Sequence, residues 1–309
     1  MIIFFKKYFN RHTFPIIKFY LFHPIILLTN RLIILGLIIK KIINNDVNFN
    51  EKIKSNIPID IVLCAIDKDY DVLVFAIDSI RKYIKHPIGN IYLVCPLSKK
   101  IEKISKTKKC ILLDENKVLP ITKKDINYFV NGQDRSGWLY QQLLKFGIDK
   151  FVENEYFLIT DADTIYCRPQ VFVYSNKVLL PVSGQLCHLP YLAMINRLIG
   201  YKIKPTINFV IHHSLFEKTK INILKQYIEK INKKKWYQAI IDNIDPREGS
   251  SFSEYETYGQ FMLLMYRNDF LIEYAYNRGY GRKQIADIKA ITVKNKLKHK
   301  NISFHSYDI

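Results

Sequence analysis

The chain has 309 residues, 49% of them hydrophobic, and its 47 lysines and arginines against 28 aspartates and glutamates give a net charge of +19. That apolar fraction excludes a disordered tail and suffices for one large core or two small ones. The charge points to a polyanionic partner, whether nucleic acid, an anionic bilayer or a phosphate-bearing substrate, and does not choose among them.

Residues 1–45 are intensely apolar, as in "FPIIKFYLFHPIILLTNRLIILGLIIKKII", but Lys18, His23 and Arg31 interrupt them. No uncharged run reaches the roughly 18–20 residues that a spanning helix needs. A signal peptide fits poorly too, because Lys40 and Lys41 close the stretch where a small-residue cleavage site would stand. The segment reads as one or two interfacial helices whose cations meet anionic headgroups while isoleucine, leucine and phenylalanine enter the acyl boundary. The alternative is a helical hairpin packed on the protein's own core or on a dimer partner. Residues 46–58 are polar and close on Pro58, as a linker into the main domain 59–309 does.

The domain opens with a strand expected over 59–67, a helix over 71–84 and a strand over 90–96. This βαβ order, with near-continuous apolar strands, describes an α/β fold whose mainly parallel sheet is covered by helices on both faces. A strand over 110–116, a helix over 137–151 and a strand over 156–163 follow. Beyond them, 178–184 reads as an edge strand, "TKINILKQYIEKINKKKWYQAII" as a helical pair and 253–268 as a helix. Five cysteines (Cys64, Cys95, Cys110, Cys167, Cys187) never reach CxxC spacing, so neither a disulfide framework nor a zinc knuckle is supported and a reducing compartment is the default.

The stretch "YFLITDADTIYCRP" sets Asp161 and Asp163 at the carboxyl end of an apolar strand. Alternate residues of an extended backbone point the same way, so both carboxylates can converge on one hard cation, Mn2+ or Mg2+, which in turn holds a diphosphate. In "GWLYQQLLKF", Trp138 offers a ring for stacking, Gln142 (before Gln141) an amide for hydrogen bonds and Lys145 a cation to face phosphate. In "FVIHHSLF", His212 and His213 point to opposite faces of a strand, so one reaches the site while the other packs. "SEYETYG" supplies two further carboxylates, Glu254 and Glu256.

Taken in order, "GWLYQQLLKF", "YFLITDADTIYCRPQVF", "FVIHHSLF" and "SFSEYETYGQFM" resemble a bacterial glycosyltransferase family of GT-A fold, mostly known as domains of unknown function. The likeness covers about residues 58–309. It implies a Rossmann-like fold and a nucleotide-sugar-dependent transferase, in which Asp161 and Asp163 hold metal and diphosphate and Asp67 meets the base or ribose. It also implies His305 as a third metal ligand, His213 as the site histidine, and Glu254 as the base that takes the acceptor hydroxyl's proton, with Glu256 beside it. A glycan or lipid-linked acceptor, surface polysaccharide synthesis and a peripheral place on the cytoplasmic face of a membrane complete that expectation.

Two rivals stand. "LITDADTIY" is also similar to the DxDx[TV] strand end of haloacid-dehalogenase-type phosphatases, where Asp161 would be the nucleophile; but the fifth position is Ile165 and several elements precede a motif that normally opens its domain. A non-enzymatic basic protein binding membrane or nucleic acid is the other. Against nucleic acid, no helix carries a dense basic face with a known reading motif, and 99–109 reads as a solvated loop.

Overall fold

The computed structural model describes residues 13–43, 53–275 and 277–306, with side chains given for 18–40 in the first stretch. The expected linker lies outside the described residues up to 52. Its end at 53–58 is irregular chain tied to the domain, since Ser55 N donates to Lys85 O (2.8 Å) and Ile57 packs on the core.

Two helices that meet at His23 come first, α1 (Thr13–Phe22) and α2 (Pro24–Ile43). The domain follows with β1 (Ile59–Cys64), α3 (Tyr70–Tyr83), β2 (Ile88–Cys95), α4 (Lys99–Thr107) and β3 (Ile111–Asp114). Every residue of β1 is buried, as a parallel strand covered on both faces must be. Residues 99–107, expected as loop, form the helix α4 because Ser98 caps its first turn by accepting from Ile101 N (3.4 Å) and Ile101 anchors it to the core.

A two-stranded ribbon, β4 (Phe129–Val130) and β5 (Gln133–Asp134), leads into α5 (Ser136–Gly147), then β6 (Tyr156–Thr160), β7 (Thr164–Tyr166), β8 (Val173–Tyr174) and β9 (Lys177–Val182). Next come α6 (Leu189–Ile199), β10 (His213–Glu217), α7 (Lys218–Asn232), α8 (Trp236–Asp242) and α9 (Glu254–Met265). The chain finishes with β11 (Phe270–Tyr274), β12 (Arg278–Gly281), α10 (Ile288–Asn295) and β13 (Asn301–His305).

The main sheet has the order β10-β6-β1-β2-β3, with β10 alone antiparallel. From β1 the chain builds outward through β2 and β3, then crosses back to lay β6 on the other side. That reversal leaves a crevice at the carboxyl ends of β1 and β6, where open α/β sheets take their ligands.

Three expected strands end differently. The first stops at Cys64, and Asp67 falls exposed at the start of a 3-10 turn, Asp67–Asp69. The strand from 156 stops at Thr160: Asp161 N donates to His212 O and Thr164 N to Asp161 O (both 3.0 Å), so the two aspartates sit on a tight turn and not on extended chain. The supposed edge strand is β9, the centre of a small sheet between β11 and β8.

Candidate active site

Helix α5 brings Trp138, Gln141, Gln142 and Lys145 to one face by helical spacing, and all four line a cleft of about 1210 Å3 at the β1/β6 crevice. The opposite wall is the first turn of α9. There Ser253 caps the helix by accepting from Glu256 N (3.3 Å), which fixes Glu254 and Tyr255 at the cleft.

Lys145 joins the two walls. Its Nζ lies 2.7 Å from Asp161 Oδ1 and 2.7 Å from Glu254 Oε1, with the side chain 4% exposed. Burial works against its charge, but Asp161 and then Glu254 outweigh that and hold its pKa well above the ordinary lysine value. For Glu254 burial prevails over Lys145, and its pKa is raised. Asp161 keeps its charge: burial opposes it, yet Lys145 and His212 together hold its pKa below the usual carboxylate range. Tyr255 OH also donates to Asp161 Oδ1 (3.1 Å), and the Gln142 amide, with its nitrogen toward Glu254, donates to that carboxylate.

His212, at the end of the segment before β10, sets Nδ1 3.1 Å from Asp161 Oδ2. Burial alone would lower its pKa; the bond to Asp161 overcomes this and raises it. The last strand, β13, pairs with β7 just past the turn, so His305 arrives with Nδ1 3.2 Å from Asp163 Oδ2. The rings of His212 and His305 are 5.1 Å apart.

One ligand atom each from Asp161, Asp163 and His212 lies within 4.8 Å of the others. Two carboxylates and an imidazole fit Mn2+, and the oxygens fit Mg2+. His305 adjoins this group through Asp163.

Not every expected residue is here. The site histidine is His212 and not His213, because β10 begins at His213 opposite Thr160 and turns that ring inward. His213 is 2% exposed, lies within 2.7 Å of Asn301 Nδ2 and packs edge-on to Tyr166 and Phe172; burial pushes its pKa down to about 3. Glu256 also points away from the cleft. It accepts from Phe209 N (2.7 Å) and Gln260 Nε2 (2.8 Å), and burial pushes its pKa up to about 7. Its work is to pin the segment that carries His212. Gly259, one turn on, leaves room for Phe209, whose Cγ would stand 2.2 Å from a Cβ there.

Asp67 does not line the cleft; Asp69 does, paired with Arg282 (3.1 Å). Arg282 and Asp69 escaped sequence reasoning, for they are far apart in the chain and carry no motif. Trp138 lines the cleft, with the Arg135 guanidinium 4.9 Å from its ring.

A mixed, parallel-rich sheet with a carboxylate–imidazole cluster at its switch point defines the class of fold and site. The chain belongs to a sequence family of unknown function, DUF6492, which it matches over residues 57–308. Among solved structures it is similar to the galactosyltransferase LgtC in complex with donor and acceptor sugar analogues, with 11% identity over 81% of this chain and 88% of that one and a TM-score of 0.44. Mouse xyloside xylosyltransferase 1 shows 10% identity over 81% and 98%, with a TM-score of 0.42. The glycosyltransferase GlyE of Streptococcus pneumoniae shows 12% over 82% and 56%, with a TM-score of 0.38. No curated protein matches by sequence.

Proposed function

We propose that this protein is a metal-dependent glycosyltransferase of GT-A type, moving a sugar from a nucleoside diphosphate sugar to a glycan or lipid-linked acceptor in surface polysaccharide synthesis. The observation that carries the reading is the Asp161–Asp163–His212 cluster at the strand ends of a cleft large enough for donor and acceptor together. A divalent cation held there would neutralise charge on the departing diphosphate.

The chain's own residues divide the remaining work. Lys145 holds Asp161 charged and in place, and Tyr255 fixes the same oxygen. Trp138, at the outer end of the α5 face, offers a ring on which a base or sugar stacks, while Gln142 holds Glu254. Glu254 lies on the cleft wall beside Tyr191, and burial raises its proton affinity, as suits a base for the acceptor hydroxyl. A nucleophilic Asp161, as in a phosphatase, fits less well: both oxygens are engaged, and a carboxylate so stabilised is a weak nucleophile.

All five cysteines are free, and no helix among the described residues is long and apolar enough to cross a membrane. Free thiols suit the reducing cytoplasmic face, where this reading puts the enzyme as a peripheral protein.

The test is a nucleotide-sugar panel with manganese, reading released nucleoside diphosphate. Calorimetric titration of a nucleoside diphosphate with and without chelator accompanies it. Asp163→Asn should fold normally and lose metal-dependent binding, Asp161→Asn should do nearly the same, and the double variant should add little. Binding that ignores chelator, or that survives both substitutions, overturns the reading.

A further inference from the structure

Helix α2 is apolar on two sides. Inward, Asn30 and Ile34 are buried, and Ile33, Leu37 and Ile38 pack on the core. Outward, Ile25, Leu28, Leu32, Leu35 and Ile39 recur at three- and four-residue spacing, exposed by 79%, 59%, 58%, 53% and 45%. Leu21 and Phe22, at the end of α1, extend this stripe at 71% and 72%. A helix apolar all round is at home only where its second face is also covered.

The charges select the cover. Residues 1–43 contain Lys6, Lys7, Arg11, Lys18, Arg31, Lys40 and Lys41 and no aspartate or glutamate. Such a segment repels a second copy of itself and is drawn to an anionic bilayer, where the apolar stripe enters the acyl boundary.

The two helices are also fastened to the cleft. Arg31 Nη1 donates to Gly184 O (3.2 Å), Asn30 Nδ2 to Thr206 O (2.8 Å) and Tyr20 OH to Pro205 O (2.8 Å). Ser183, Gly184 and Gln185 line the cleft, and Gly184 abuts the ring of Tyr274 from β11, the strand on which α2 packs. A surface that covers the outward stripe therefore lies alongside one rim of the cleft.

We propose that the two N-terminal helices seat the protein on an anionic bilayer with the 183–185 rim near headgroup level, and that the acceptor is an amphiphile. Its sugar enters the cleft from that rim while its lipid anchor stays in the bilayer. The statement about the acceptor rests on the transferase reading; the statement about the seat does not.

Flotation of the full chain with vesicles of phosphatidylglycerol and phosphatidylcholine, against phosphatidylcholine alone, tests the seat. Binding should require the anionic lipid and fall at least about ten-fold in a Leu28→Ser, Leu32→Ser, Leu35→Ser variant whose circular dichroism matches the parent. In a Cys110→Ser background, fluorophores placed by Leu28→Cys, Gln185→Cys and Lys103→Cys should be quenched by brominated lipid in that descending order, since Lys103 lies beside the far edge strand, β3. A stable dimer without vesicle binding, or equal quenching at Gln185→Cys and Lys103→Cys, overturns the seat. For the acceptor, dodecyl glycosides in the vesicles should be used at least about ten-fold faster than the matching methyl glycosides in solution, by the effective concentration at the surface. Equal rates overturn the amphiphile but leave the transferase intact. No transfer to either, with vesicle binding preserved, sinks the transferase reading and the acceptor with it but not the seat.

Discussion

Lys145 and Lys225 are both sunk in the interior, with side chains 4% and 6% exposed, and each ammonium lies over an aromatic ring: Tyr255 at 4.7 Å and Trp236 at 5.0 Å. Among the described residues Lys225 has a single carboxylate partner, Asp149, whereas Lys145 has two, Asp161 and Glu254. Burial weighs first on both, yet it leaves the Lys225 pKa lowered and is overcome at Lys145, which is raised. One partner does not repay the desolvation of a buried ammonium; two do. The surroundings differ in the same sense. Asp149 is sealed at 1% exposure, while Asp161 keeps 28% of its side chain open to the cleft. The first pair holds α7 against the end of α5, and the second keeps a carboxylate charged where a ligand can reach it.

The largest expected effect breaks each arrangement at its cation. Lys225→Met and Lys145→Met both strand buried carboxylate charge, so each should cost about 3–5 kcal/mol in urea unfolding. Rescue separates them. Adding Asp149→Leu to Lys225→Met should restore stability to near the parent value, because an apolar pair of similar volume replaces an ion pair at little cost. Adding Glu254→Gln to Lys145→Met should not, since Asp161 remains, and donor binding should stay lost. Full recovery in both would mean that the two lysines do the same structural work.

Next in size, Glu254→Gln should slow transfer by about 10²-fold with donor affinity little changed, the scale of a lost general base. An equal loss of donor affinity would place Glu254 on the donor side with Lys145.

A third expectation concerns Glu256, a buried carboxyl whose hydrogen-bond partners among the described residues carry no charge. Burial raises the Glu256 pKa from 4.5 to about 7, so the folded state favours its protonated form. Its contribution is whole below pH 4.5 and shrinks as pH rises through 7. The loss should amount to roughly 3 kcal/mol. His213 works in the opposite sense: its pKa falls from 6.5 to about 3, so its contribution is whole above 6.5 and lost as pH falls toward 3. Glu256→Gln should therefore leave a stability curve that rises more steeply with pH between 4.5 and 7 than that of the parent. Parallel curves in stepped-pH unfolding would mean that Glu256 is not the titrating group.

The smallest effect belongs to an exposed pair. Lys108 lies 2.7 Å from Asp78, as close as Lys145 to Asp161, but Asp78 is 55% exposed. Lys108→Ala should change stability by less than about 1 kcal/mol, because water already screens the charge it removes. A larger loss would show that contact distance, and not burial, sets the worth of these bonds.

Local pattern was enough for much of this protein. The apolar runs of β1, β2 and β6 and the helical spacing of α3, α5 and α7 specify the alternating order of a covered parallel sheet, since burial on two faces leaves strands few polar positions. The same reasoning put Asp161 and Asp163 at a strand end, and put Trp138, Gln142 and Lys145 on one helix, because each judgement needs only neighbours within a turn or a strand. Which histidine meets Asp161 was not legible. His212 and His213 are alike as letters, and the choice follows from the register of β10 on β6, where His213 stands opposite Thr160. Asp67 and Asp69 differ only by where the chain leaves β1, and Glu254 and Glu256 only by the rotation of α9 against the segment at Phe209. His305 reaches Asp163 because β13 pairs with β7, and Lys145 reaches Glu254 because α5 and α9 face each other across the cleft. The sequence by itself determined the βαβ order of the sheet's first half and the place of Asp161 and Asp163 just past an apolar strand. Only the tertiary structure decided their partners, because register, crossover and helix rotation are fixed by packing between segments a hundred residues or so apart.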